Sequence, residues 1–294
     1  MKKLFILFSI ITSISLSAQQ NYEWLKIKKY KVAELDDKIE ENSALSFLGN
    51  RLFTLNDSGH PAELHEIDFS TGKTISSTKI DSIRNFDWEA LTNDGNYFYI
   101  GDIGNNWGVR KDLKIYRVST DSLQYKGEIL YHYPEQTDFT KKPQANNWDA
   151  ESLIHIDGKL NLFTKEWESY RTTRYEIPTT IQNEKIGAQK LEDFDLGYAS
   201  TDAAYFDGKL YIVGYTKKTE VFLTIFNEDE NGLFFTQKPK KFYLGSSTAV
   251  GQIEGISVSA DGIYISGERF SIKPFNVPQT LYFIPHNRME KALK

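Results

Sequence analysis

The chain has 294 residues, 40 acidic against 35 basic side chains, a formal net charge of −5 and no cysteine. Disulfides, thiolate metal sites, a cysteine nucleophile and a lipidated cysteine are therefore excluded, and nothing suggests the basic surface that nucleic acid requires. Aromatic residues at 14% suit a β-rich globular body rather than a disordered chain.

Residues 1–18 read as a secretory signal peptide. Met1, Lys2 and Lys3 give a charged start, Leu4 to Ile14 an apolar run, and Ser15, Ser17 and Ala18 the small residues before a cleavage point. The run is shorter than the roughly 20 apolar residues a bilayer-spanning helix needs. The chain is thus expected to be exported to the periplasm or the extracellular space without a membrane anchor. Residues 19–294 are expected to form one domain.

Trp24 to Val32 follows, a strand with no hairpin partner of its own. A phrase then recurs five times: a short apolar strand opening on a polar residue, a turn containing Gly, and a second apolar strand. The copies are Ser43 to Asn56, Glu89 to Asp102, Glu151 to Thr164, Asp202 to Gly214 and Glu254 to Ser266, spaced 46 to 62 residues apart. Strand-turn-strand units repeated at this period select a β-propeller. Gly49-Asn50, Asp94-Gly95, Asp157-Gly158, Asp207-Gly208 and Asp261-Gly262 supply the hairpin turns.

Each phrase continues into two further strand-like runs. The first copy shows Ala62 to Asp68 and Lys73 to Ile80, and third-strand counterparts run Leu113 to Val118, Thr173 to Ile177, Glu220 to Phe226 and Thr280 to Ile284. Apolar and polar residues tend to alternate along them. The expected fold is all-β, a propeller of five four-stranded blades. A sixth, degenerate blade stays open in the longer intervals, the longest of which holds an insertion from Tyr131 to Trp148. Too little chain follows Ile284 for a last fourth strand, so Trp24 to Val32 is predicted to complete the final sheet and close the ring, removing its exposed edges.

In a propeller the first strand of each blade lines the central channel, and residues at its start converge on one mouth. Ser43, Glu89, Glu151, Asp202 and Glu254 hold that position, with Asp87 and Asp149 two residues upstream of the second and third. Carboxylates about 7 Å apart repel by roughly 2 kcal/mol per pair at an effective dielectric near 20. Compensation must come from a bound cation, an internal partner such as Lys165, Arg51 or Arg269, raised pKa values, or backbone amides. An oxygen-only set favours Ca2+ over Zn2+, which makes Glu89, Glu151, Asp202 and Glu254 the candidate metal ligands. On a second reading the same carboxylates hydrogen-bond the next blade's backbone and only pin the blades together. A third makes two of them a catalytic pair.

Ligand contacts are expected from Asp57 in the polar loop Asn56 to Pro61, which also reads as plain turn chemistry, and from Lys165. Asp102, Asn105, Asn106, Trp107 and Arg110, in the loop Gly101 to Arg110, can form the rim of a site. That loop is glycine-rich but leads into no helix, so it is not a phosphate cradle. Second-strand ends lie at the same mouth or the opposite one, depending on register. Trp88 and Trp148 read as packing residues or sugar-stacking platforms, His65 and His155 as structural histidines. The expected function is ligand or divalent-cation binding at an acidic channel mouth, in a recognition or scaffold role toward a small molecule, glycan or protein. The alternatives are a cation-dependent hydrolase and a structural interaction protein.

The runs Glu41-Asn-Ser-Ala-Leu45, Thr54-Leu-Asn-Asp-Ser-Gly59, Asp87-Trp-Glu-Ala-Leu91, Tyr99-Ile-Gly-Asp-Ile-Gly-Asn-Asn106 with Arg110, and Asp149-Ala-Glu151 resemble a family of uncharacterised secreted β-propeller proteins of Bacteroidota. The resemblance covers essentially all of the chain after residue 18. That family commonly shows Ser-Ser-Gly-Leu where this chain has Asn42-Ser-Ala-Leu45. More distantly, Glu254-Gly-Ile256 followed by Gly262-Ile-Tyr-Ile-Ser266 looks like blades of calcium-dependent lactonases and phytase-like propellers, which use channel-facing Glu, Asn and Asp around a metal ion. The resemblance implies a metal-ligand role for Glu254.

Overall fold

The computed structural model describes residues 22–181 and 184–292; the expected leader, residues 1–18, lies outside them. Five antiparallel sheets stand in a ring. Blade 1 runs Asn42–Leu48, Arg51–Asn56, Glu63–Ile67 and Thr74–Lys79 from channel to rim, and blade 2 runs Trp88–Asn93, Tyr97–Asp102, Lys114–Ser119 and Tyr125–His132. Blade 3 is Asp149–Ile156, Lys159–Lys165, Arg171–Pro178 and Gln189–Asp195, and blade 4 is Ala199–Phe206, Lys209–Tyr215, Glu220–Asn227 and Lys240–Ser246. Blade 5 has Gln252–Val258, Gly262–Glu268 and Thr280–Pro285, and takes its fourth strand, Lys31–Glu34, from the start of the described chain. The described residues make five blades, with no sixth.

Ring closure by the N-terminal segment holds, with a shift in which residues close it. Lys31, Ala33 and Glu34 pair antiparallel with Tyr282, Leu281 and Thr280. The run Trp24 to Val32 does not form one strand: Glu23–Trp24 adds in parallel to the outer strand of blade 4, and a 3-10 turn, Ile27–Tyr30, carries the chain to blade 5. Ile27, fully buried, faces the core at that turn. A hydrophobic residue in a short turn bends the chain at the seam, so one segment laces two blades.

Five apolar clusters fill the five seams between adjacent blades. Between blades 1 and 2, Phe53, Leu55 and Leu64 meet Trp88, Phe98 and Ile100. Neither sheet can bury this face alone, so each blade depends on its neighbours. Positive φ at Asp157 and Gly158, and at Asp207 and Gly208, gives the primed turns that suit twisted hairpins. Blade 5 differs. Gly262 has an ordinary φ, but a Cβ there would strike the Ile284 carbonyl and come within 2.8 Å of Phe283, so this glycine serves close strand approach rather than turn conformation.

Candidate functional site

Each innermost strand carries a β-bulge near its start. The register slips across Asn42/Ala44, Trp88/Ala90, Ala150/Ser152, Ser200/Asp202 and Ile253/Gly255. The extra residue in each blade is Ser43, Glu89, Glu151, Thr201 or Glu254. Bulges re-aim side chains at sheet ends, and here Ser43, Glu89, Glu151 and Glu254 line a recess of about 120 Å3 at the channel mouth. Residues opposite the bulges, at the ends of the second strands, reach the same mouth: Lys165, Tyr215 and Glu268 complete its wall with Asp57, Gln252, Trp167, Asn106 and Gln144.

Asp202 stands apart from the metal-ligand set expected from sequence. Thr201 occupies the equivalent bulge, and its hydroxyl donates to the Ile253 carbonyl at 2.6 Å. The Asp202 carboxylate instead accepts from the backbone N–H of Ala203 at 2.8 Å and of Ile256, on blade 5, at 2.7 Å. Two carboxylate oxygens filled by backbone donors describe the blade-pinning role. The Asp-Ala phrase in blade 4 is offset by one residue from the Glu phrases, and only the bulge register reveals it.

The two sides of the mouth are compensated unequally. Lys165 forms an ion pair with Glu151, and its ammonium lies 4.7 Å from the Trp167 ring and 5.3 Å from that of Tyr215. Burial opposes a charge on Lys165, but Glu151, Tyr215 and Glu254 outweigh it and hold the amine protonated. Glu254 accepts from Tyr215 Oη at 3.0 Å and from Gln252 Nε2 at 2.8 Å, and Gln252 also donates to Glu268. The second Glu151 oxygen, Oε2, is buried in this wall with no hydrogen-bond partner among the described residues.

Between blades 1 and 2, one carboxylate oxygen from each of Asp57, Asp87 and Glu89 lies within 4.8 Å of the others. Their compensation is slight: Ser43 Oγ donates to Glu89 at 3.2 Å, the Ser58 N–H donates to Asp57, and Arg110 stands 4.0 Å from Asp87. Burial, with the Glu254 charge, pushes Asp57 up to about 6. Burial, with Asp57 and Asp149, pushes Asp87 up to about 7. Glu89, fully enclosed and facing Asp57 and Glu151, is raised well above the ordinary carboxylate range.

Local structure explains how three carboxylates come this close. Asn85 donates to the carbonyls of Asn56 at 2.9 Å and Asp57 at 2.7 Å while its Oδ1 accepts from the Trp88 N–H at 3.1 Å, fastening the Asp57 loop to blade 2. Gly104 passes beneath: a Cβ there would strike Asp87 Oδ2 and lie 2.6 Å from Glu89 Oε1. Neither residue stands out in the sequence, because Asn85 acts through carbonyls of another blade and Gly104 through an omitted atom.

The remaining expected ligand contacts divide. Asp57, Lys165 and Asn106 reach the mouth. Asp102 and Arg110 satisfy one another at 2.8 Å, with Arg110 also bonded to Asp112 and the Gly104 carbonyl. Asn105 bridges to blade 3, its N–H donating to Asp149 at 2.6 Å. Trp107 is 52% exposed with Lys141 over its ring, and it does not line the recess. Trp88 is fully buried packing.

No protein-family model matches the sequence, and no curated relative does. Among solved structures, an exo-β-1,3-galactanase from Phanerochaete chrysosporium with β-1,3-galactotriose aligns at TM-score 0.56 and 10% identity, over 90% of this chain and 65% of that one. The present chain thus spans about two thirds of the galactanase. An oxidoreductase (glucose dehydrogenase) from Thermus thermophilus aligns at TM-score 0.47 and 12% identity, over 86% and 98% of the two chains. An auxiliary nutrient binding protein from Bacteroides thetaiotaomicron aligns at TM-score 0.41 and 16% identity, over 84% and 53%. At such identities the likeness concerns the fold alone.

Proposed function

We propose that the channel mouth binds a divalent cation of the calcium class between blades 1 and 2, and that the chain is an exported recognition module whose ligand meets the cation there. The observation carrying this reading is the Asp57, Asp87 and Glu89 triad, drawn from two blades above Gly104. Oxygens no more than 4.8 Å apart suit an ion held at roughly 2.3–2.6 Å, and an all-oxygen set suits a hard cation. The partnerless Glu151 oxygen on the far wall adds a buried acceptor that water or a ligand hydroxyl on the ion can fill.

Thermal unfolding after chelation and then in millimolar Ca2+ tests the proposal. Binding to the folded state alone raises Tm by several degrees, saturably. Glu89→Gln and Asp87→Asn should abolish the rise while leaving the metal-free protein at least as stable, since repulsion is relieved. No rise, or the same rise in both variants, rejects the triad. The free Glu151 oxygen also favours a second reading, a cation-dependent hydrolase in which the ion polarises a carbonyl or phosphoryl oxygen and Glu151 acts as base. Calcium-dependent turnover of lactones or phosphate esters that is lost in Glu151→Gln would select it.

A further inference from the structure

At the end of the propeller opposite the acidic mouth, where the first hairpin turns of blades 4 and 5 lie side by side, there is a cavity of about 740 Å3. That volume is within the range of small-molecule pockets, roughly 300–1,000 Å3. Buried Tyr211, Ile263 and Met289 lie beneath it and the half-buried Phe206 and Ile225 form its walls, so the cavity sits at the end of the seam's apolar core. His286 closes one side, stacked on Phe206 at 6.1 Å and held by the Ser259 carbonyl at 2.8 Å.

The charged groups are of one dominant sign. Lys209, Lys238 and Lys240 stand on the lining, in a chain of net charge −5. Asp207 is the one lining carboxylate among the described residues, 3.9 Å from Lys209, with both side chains well exposed. Tyr211 is 5% exposed, and its hydroxyl has no hydrogen-bond partner among the described residues. Its ring is buried while its hydroxyl is not sealed in the core, so on the cavity lining it is placed to exchange water for a ligand oxygen.

We propose that this cavity binds a small amphipathic anion, a medium-chain acyl or aryl carboxylate. Its apolar body lies on Phe206, Ile225 and Met289, and its carboxylate accepts from Tyr211 and faces Lys209 and Lys238. This site shares no residue with the channel mouth, so it stands or falls independently of the cation reading.

Calorimetric titration of the purified chain with octanoate, against octylammonium and octanol at matched concentrations, tests it. Octanoate should bind at least tenfold more tightly than octylammonium. Tyr211→Phe should weaken octanoate roughly three- to tenfold, the effect of one hydrogen bond, with Tm within a few degrees of the parent. The exposed double variant Lys209→Glu/Lys238→Glu keeps the test sound even where Tyr211→Phe perturbs packing, and it should abolish the preference for the anion. Absence of octanoate binding, equal binding of the three amphiphiles, or octanoate affinity unchanged in both variants overturns the proposal.

Discussion

Single atoms decide how the mouth is built. Gly104 leaves room for the Asp87 and Glu89 carboxylates where a methyl group would collide with both. Gly104→Ala should therefore raise the calcium midpoint at least about tenfold, about 1.4 kcal/mol, as read from Tm against Ca2+ concentration; an unchanged midpoint would remove this glycine from the site. Asp202 makes the opposite case. Its two oxygens accept from Ala203 and Ile256 backbone amides, and charge-assisted hydrogen bonds of this kind contribute about 1.5–3 kcal/mol each when broken. Urea unfolding of Asp202→Asn should show a loss of about 2–3 kcal/mol, because the new amide turns an N–H toward a backbone donor. The calcium response expected under the cation proposal should stay intact, and its loss with stability retained would return Asp202 to the proposed ion site.

At the scale of elements, the bulge and the closing strand carry most of the consequence. A bulge at the same place in all five inner strands turns one side chain per blade into the channel, and four of the five reach the recess. The closing strand is short, Lys31–Glu34, yet it covers the edge of Thr280–Pro285. Deleting residues 22–34 should expose that edge and remove Leu25 and Ile27 from the seam of blades 4 and 5. The expected outcome is a lower, less cooperative melt and concentration-dependent association in size-exclusion chromatography, as for any unpaired edge. A monomer melting like the parent would show that blade 5 holds with three strands.

For the whole molecule, the acidic mouth links stability to pH. Asp57 and Asp87 have folded-state pKa values near 6 and 7, above the ordinary 3.8, so between these limits the folded state binds more protons than the unfolded chain. Their contribution is present in full at low pH and is lost as pH rises through about 6 to 7. The metal-free protein should melt at a higher temperature at pH 6 than at pH 8. His65, whose pKa burial lowers, works the other way below its ordinary value of 6.5. A cation bound at the triad as proposed would displace the protons, so added calcium should raise Tm more at pH 8 than at pH 6. A Tm independent of pH over this interval would mean that the carboxylates are compensated by other means.

The sequence by itself determined the repeat, a propeller and the closing of the ring by an N-terminal strand, while the structure decided for five blades over six. The first three rest on alternation, on Asp-Gly turns and on a strand without a blade, all properties of neighbouring residues. The sequence also marked Glu89, Glu151 and Glu254 as residues of one mouth, and left Asp57 and Lys165 at that mouth or the opposite one until the register placed them there. Only the tertiary structure decided that Thr201, not Asp202, occupies the fourth bulge, because one residue of register lies below what a repeat phrase resolves. Tertiary structure also joined Asp57 to Asp87 across a seam and gave Lys165 to Glu151. The physical reason is that a propeller brings strand ends together through inter-blade packing. Which charges become neighbours is then set by rotation between sheets, a quantity that no local pattern encodes.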